Sequence, residues 1–114
     1  MNFVMLEGVL SRPCSVRDLP SGSQLCSLEV TTRDDAGAAV SVPVSWFDPP
    51  RPPEWEAGTE VVVIGSVRRR FFRTAAGTQS RTEVVAEVVA AGSDRRSARR
   101  VRERAGRVLG RVAQ

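Results

Sequence analysis

This chain of 114 residues predicts an all-β domain followed by a basic amphipathic tail. Three observations carry that prediction. Residues 1–93 hold five short apolar stretches, most of them with hydrophobic positions alternating at a period of two. Gly, Pro, Asp and Ser separate the stretches, and these residues turn a chain. From Asp94 onward the apolar spacing becomes three and four, and arginine dominates the remaining positions. The length fits one domain.

The first strand is Phe3–Leu10, in which Val4, Leu6, Gly8 and Leu10 share one parity. Ser11-Arg12-Pro13 breaks it, and Leu19-Pro20-Ser21-Gly22-Ser23 is a turn. Gln24–Arg33 follows, with Cys26, Leu28 and Val30 on one face and Ser27, Glu29, Thr31 and Arg33 on the other. Asp34-Asp35-Ala36-Gly37 makes the next turn. The third strand, Val40–Phe47, has Val40, Val42, Val44 and Trp46 in phase. Its Pro43 has no N–H for a ladder, which predicts an edge position or a bulge. Asp48–Gly58 holds four prolines and reads as a loop, with at most one helical turn around Glu54–Ala57. Thr59–Phe72 is the longest strand, and its continuous Val61-Val62-Val63-Ile64 predicts burial on both faces. Ala75–Thr78 is a hairpin tip. Arg81–Ala91 is the fifth strand, with Val84, Ala86, Val88 and Ala90 read as one uninterrupted apolar face. Five short strands with turns between them predict a small barrel or sandwich.

The domain boundary falls at Gly92-Ser93-Asp94, dividing residues 1–93 from an arginine-rich tail at 94–114. Ser93 or Asp94 suits a helix cap. Ala98, Val101, Ala105, Val108 and Val112 make a narrow apolar stripe, which Gly106 and Gly110 weaken by about 1 kcal/mol each. Three uses of the tail stay open: packing on the barrel or on another subunit, gripping nucleic acid, or a solvated surface.

The net charge is +4, and every one of the 17 cations is arginine. Residues 94–114 carry eight arginines against Asp94 and Glu103, whereas residues 1–93 carry nine against eleven acids. Within the body only Arg68–Arg81 is a concentrated cationic patch, with five arginines and no acid. Histidine is absent, which removes Ser-His-Asp and Cys-His arrangements and most zinc sites. No carboxylate pair lies beside a nucleophile, and Asp34-Asp35 is explained as a turn. The chain therefore reads as a non-enzyme with no cofactor and no metal. Cys14 and Cys26 do not make a disulfide framework, and they predict reduced thiols in a cytoplasmic protein. No apolar run approaches the roughly 18 residues that span a bilayer, so no membrane partner is expected.

The candidate ligand surface is Val67-Arg68-Arg69-Arg70-Phe71-Phe72-Arg73. Arginines neutralise phosphates, and aromatic rings stack on unpaired bases, of DNA or of RNA. Strand parity sorts the motif. Arg68, Arg70 and Phe72 share the ligand face, while Phe71 continues the Val63–Val67 face toward the core. Arg73, Arg81 and Arg33 are further phosphate contacts. Trp46 is a ligand candidate if a bulge at Pro43 turns it outward, with Phe47 the fallback. Trp55 reads as a packing cap.

Several stretches together resemble the bacterial single-stranded DNA-binding protein family. The opening Met1-Asn2-Phe3-Val4-Met5-Leu6-Glu7-Gly8-Val9-Leu10-Ser11-Arg12-Pro13 is similar to that family's first strand and following proline. Leu19-Pro20-Ser21-Gly22 with Leu28-Glu29-Val30 resembles its first hairpin, and Val44-Ser45-Trp46 its third-strand segment. Gly58-Thr59-Glu60-Val61-Val62-Val63-Ile64-Gly65-Ser66-Val67-Arg68 resembles its Gly-x-x-Val-x-Val-x-Gly-x-Leu-Arg pattern. Phe72, Gly77 and Arg81-Thr82-Glu83-Val84-Val85 also fall in place, and the arginine-rich form looks most like short actinobacterial members.

The resemblance implies a five-stranded OB-fold Greek-key barrel that binds single-stranded DNA without strong sequence preference. It implies work in replication, recombination or repair near the nucleoid, and a homo-oligomer, tetramer or dimer. It also implies stacking roles for Trp46 and Phe72. The chain departs from the pattern at Arg33-Asp34-Asp35 and Val40, where aromatics are missing, and in its Pro-rich loop. It ends Leu109-Gly110-Arg111-Val112-Ala113-Gln114, so recruitment through an acidic C-terminal tip is not expected. The lost aromatics leave a second reading open, an OB-fold adaptor of the replisome or primosome with weak DNA or RNA binding.

Overall fold

The computed structural model describes residues 1–112. It orders them as β1 (Val4–Leu10), β2 (Ser15–Asp18), β3 (Gln24–Arg33), β4 (Ala39–Phe47), β5 (Glu60–Thr74), β6 (Gly77–Ala91) and α1 (Arg95–Val112). The strands follow the order β1-β5-β6-β4-β3-β2, and β1 also meets β3 at Val9–Thr31 and Leu10–Val30. That second pairing closes β1, β5, β6, β4 and β3 into a five-stranded OB-fold barrel, with β2 added on the outside of β3. A Cβ at Gly8 would collide with the Thr31 carbonyl, so glycine lets β1 cross β3 closely enough to close the barrel.

The five predicted strands are all present. The extra strand, β2, has only Val16 half-buried among exposed neighbours, so it shows no alternation to read. Pro43 causes no bulge. It lies opposite Glu29 in an unbroken β3–β4 register, and β4 meets β6 only at Val44 and Ser45, where the pairing is parallel. The strand is therefore free beside Pro43, and the missing N–H costs no ladder bond. The Pro-rich segment forms no helical turn.

The irregularity lies on β6 instead. Ile64 pairs with Val88 and Gly65 with Ala86, leaving Glu87 as the extra residue. This divides the Val84–Ala90 face that alternation had joined. Val84 and Ala86 enter the barrel core with Leu28, Val30, Val44 and Val63. Val88 and Ala90 turn outward and pack, with Val62 and Ile64, against Ala98, Val101 and Ala105 of α1. Val61–Ile64 is thus buried on both faces, as its apolar run predicts.

Among the three uses open for the tail, packing on the barrel is realised in α1. Asp94 caps the helix: its carboxylate accepts from the Ser97 N–H at 3.2 Å, and its carbonyl accepts from Ala98 N–H at 2.9 Å. The Ser97 side chain and N–H hold the Asp94 carboxyl below its ordinary range. Arg102 pairs with Glu7 of β1 at 2.7 Å, and Arg104 with Glu87 at the bulge. The apolar stripe is buried over its first two turns only, since Val108 is half-buried and Val112 exposed. Ala113 and Gln114 lie outside the described residues.

Candidate nucleic-acid interface

The β5–β6 hairpin outgrows the barrel. β1 accompanies β5 only from Glu60 to Gly65, and β4 meets β6 only at Val84 and Val85, so residues 68–74 and 77–83 continue as a two-stranded ribbon past the barrel. Asn2 secures its base, with its side chain donating to the Val67 carbonyl and accepting from the Val67 N–H, both at 2.8 Å. Gly77, with a φ of +110°, supplies the left-handed residue at the tip.

Parity along β5 holds as predicted. Arg68, Arg70 and Phe72 share the outer face with Glu83 and Arg81, their cross-strand neighbours from β6. Phe72 is 41% exposed there. Phe71 does take the face of Val63 and Val67, but it is not core: it is 65% exposed, with Val67 also open and the Arg69 guanidinium 5.8 Å from its ring. The inward face of a strand buries a residue only while there is barrel beneath it, and the barrel ends before residue 71.

Glu83 is the centre of this face, and the sequence reading passed it over. Its side chain is buried, at 2% residue exposure. One carboxylate oxygen lies 3.3 Å from Arg70 Nε and 3.7 Å from Arg68 Nη2, and the other accepts from the Ser45 hydroxyl. A buried carboxylate needs such partners to offset desolvation. Arg68 and Arg70 are thus partly neutralised from within, which the strand-parity pairing of Arg68 with Glu83 would have revealed. Arg68 also sits 5.6 Å from the Phe47 ring centroid.

Trp46 is not on this surface. It is 7% exposed, belongs to the barrel core and stacks on Trp55, with centroids 6.3 Å apart and planes 15° apart. With no bulge at Pro43, Trp46 stays in phase with Val42 and Val44, and the fallback Phe47 takes the outer face. Trp55 acts as the predicted packing cap. Its backbone N–H donates to Cys14 Sγ at 3.2 Å, tying the Pro-rich loop to the residue before β2.

The ribbon's outer face runs into a groove of about 310 Å³ walled by the β1–β2 connection, β2, β3 and β4. Arg12, Arg17, Arg70 and Arg81 line it with Ser15, Ser27 and Ser45, and Glu29 is its one acid among the described residues. Arg12 pairs with Glu29 at 2.8 Å, whereas Arg17 and Arg81 have no carboxylate within 4.0 Å among the described residues. Nothing local marks Arg12 and Arg17; the fold brings them across from the β1–β2 connection and β2. The other two candidates lie apart. Arg73 sits near the hairpin tip on the Phe71 side, and Arg33 donates to the Gly37 carbonyl at 2.7 Å in the β3–β4 turn. Neither lines the groove.

The groove thus presents guanidinium groups and hydroxyls, and Phe47 and Phe72, which do not line it, lie on the same outer face of the adjoining strands. That chemistry suits a polyanion carrying stackable bases. No helix among the described residues is long and apolar enough to cross a membrane, and no cluster of His, Cys, Asp and Glu among them suits a metal ion. A scan against known protein-family models matches none, and a search of curated proteins finds no match.

Proposed function

We propose that this chain binds single-stranded DNA, largely without sequence preference, in replication, recombination or repair. The observation that carries the reading is the arginine groove beside Phe47 and Phe72. Arg17 and Arg81 supply unpaired charge for phosphates, and Phe72 is the principal stacking ring. Hydroxyl and guanidinium donors without base-edge geometry fit backbone recognition rather than sequence readout. Phosphate contacts set the salt dependence of binding, and stacking sets much of its strength. No step of this function needs a catalytic group, metal or cofactor.

We also read the chain as a cytoplasmic homo-oligomer. β1 meets β3 backbone to backbone only through Val9 and Leu10, and the Thr32 hydroxyl donates to the Glu7 carbonyl, so Val4–Leu6 offers one unpaired edge on which a second copy would add.

The test is direct. A labelled oligo-dT of about 35 nucleotides should bind the wild-type protein saturably at low salt, and Arg17→Gln/Arg81→Gln should weaken it about tenfold or more, each lost phosphate contact costing roughly 1 kcal/mol. Equal binding by the double variant would move the ligand off this groove.

The adaptor reading draws on a different observation, an open groove of about 910 Å³ between the Pro-rich loop and α1, floored by Val88, Ala90 and Val101. It prevails if oligo-dT fails to bind at any salt concentration while a protein partner is retained.

A further inference from the structure

We infer that the outward face of α1 is a second phosphate-binding surface, which extends the path of the same single-stranded nucleic acid beyond the groove. The inference rests on the proposed function and adds a site to it.

The geometry of α1 separates two faces. At 3.6 residues per turn, Ala98, Val101 and Ala105 fall on one side, and these are the residues buried against the barrel. Arg96, Arg100, Arg107 and Arg111, spaced by four, seven and four, fall within about 60° of one another on the opposite side. All four are exposed. The stripe runs about 22 Å along the axis at 1.5 Å per residue.

What sets these four apart from Arg99, Arg102 and Arg104 of the same helix is the local accounting of charge. Four acids on or against the helix already have partners. Glu7 holds Arg102, Glu87 holds Arg104, Glu103 holds Arg99 at 4.0 Å, and Asp94 caps the first turn. Arg96, Arg100, Arg107 and Arg111 have no carboxylate within 4.0 Å among the described residues. Arg96 and Arg100, and again Arg107 and Arg111, stand at i,i+4, where like charges repel. The first turn contains no acid to complement the helix dipole and carries Arg95 and Arg96 instead. Such a face is poorly arranged for helix stability and well arranged for an external line of negative charge.

Position supports a continuous path. The bulge at Glu87 keeps Val88 and Ala90, which carry α1, on the same outer side of β6 as Arg81 and Glu83. The groove and the helix thus share one side of one strand, roughly 30 Å apart at about 3.3 Å per residue. A polyanion with regularly spaced charges fits both; a compact anion fits neither stripe.

The test compares the wild-type protein, Arg17→Gln/Arg81→Gln and a quadruple variant, Arg96→Gln/Arg100→Gln/Arg107→Gln/Arg111→Gln. Glutamine keeps helix propensity, and the anchoring face is untouched. Far-UV circular dichroism and melting should therefore match or exceed the wild type. The readouts are anisotropy of labelled oligo-dT of about 35 nucleotides across salt, and co-sedimentation with phosphatidylglycerol vesicles. The quadruple variant should lower the slope of log K against log salt by about 3, at roughly 0.7 per phosphate. An unchanged slope, with the groove variant weakened, overturns the second surface and leaves the groove standing. Absence of wild-type binding overturns both. Vesicle binding lost in the quadruple variant, with oligo-dT binding unaltered, assigns the stripe to lipid headgroups and also overturns it.

Discussion

Phe71 and Phe72 are adjacent in sequence and lie on opposite faces of the β5–β6 ribbon, which turns one dipeptide into a sided test. Phe72 shares its face with Arg70, Arg81 and the groove, while Phe71 faces away beside Arg69. Neither ring belongs to a core cluster, and both sit where the ribbon has passed the end of β1. Truncating either should therefore change global stability by less than about 1 kcal/mol. Their effects on binding should differ. A base–aromatic stack contributes about 1–3 kcal/mol, so Phe72→Ala should raise the Kd for oligo-dT roughly 5- to 150-fold. Phe71→Ala should alter it less than about twofold, the scale of a side chain that contacts no ligand. Fluorescence anisotropy of a labelled oligonucleotide is the suitable assay. Tryptophan emission is a poor one, because Trp46 is buried and stacked on Trp55, and it should respond little to DNA. Equal losses in the two variants, or a larger loss for Phe71→Ala, would refute the assignment of the ligand to the outer face.

Three further outcomes follow from the same geometry. Glu83→Gln removes the charge that holds Arg68 and Arg70. It should cost about 1–2 kcal/mol of stability in urea unfolding, less than a fully buried pair because both arginines are part-exposed, and should steepen the salt dependence of DNA binding. Gly65→Ala places a methyl group against the Val85 carbonyl and Ala86 at the bulge, and should lower stability by about 1–3 kcal/mol in the same assay. Burial, with the neighbouring Cys14 thiol, pushes Cys26 up to about 12 from 9.0. The unfolded chain releases that proton first, so stability should be flat below pH 9 and fall as the pH rises toward 12. Cys26→Ala should abolish that decline, and a decline unchanged in the variant would assign it elsewhere.

Alternation made the barrel strands legible because each must bury one face and solvate the other. It failed where that condition fails. β2 buries almost nothing, so its four residues carry no period. At Glu87 a single extra residue reverses the phase, and Val84 to Ala90 looks continuous because both faces of β6 are covered, one by the barrel and one by α1. Parity alone places Trp46 in the core; the family resemblance and a supposed bulge at Pro43 point it outward, and β4 needs no bulge beside its open edge. Phe71 has core parity without a core beneath it. Of the candidate site, Arg68, Arg70, Phe72 and Arg81 were visible as a local motif. Arg12 and Arg17 come from a distant part of the chain, and Glu83 is buried by the arginines that made the motif conspicuous.

The central claim is that the groove beside Phe72 holds the backbone of single-stranded DNA, and a salt titration tests it most directly. With oligo-dT of about 35 nucleotides, two phosphates on Arg17 and Arg81 together with four on the α1 stripe predict that affinity falls about 300-fold between roughly 50 and 200 mM salt. No binding at the lower salt, or binding indifferent to salt, would contradict it.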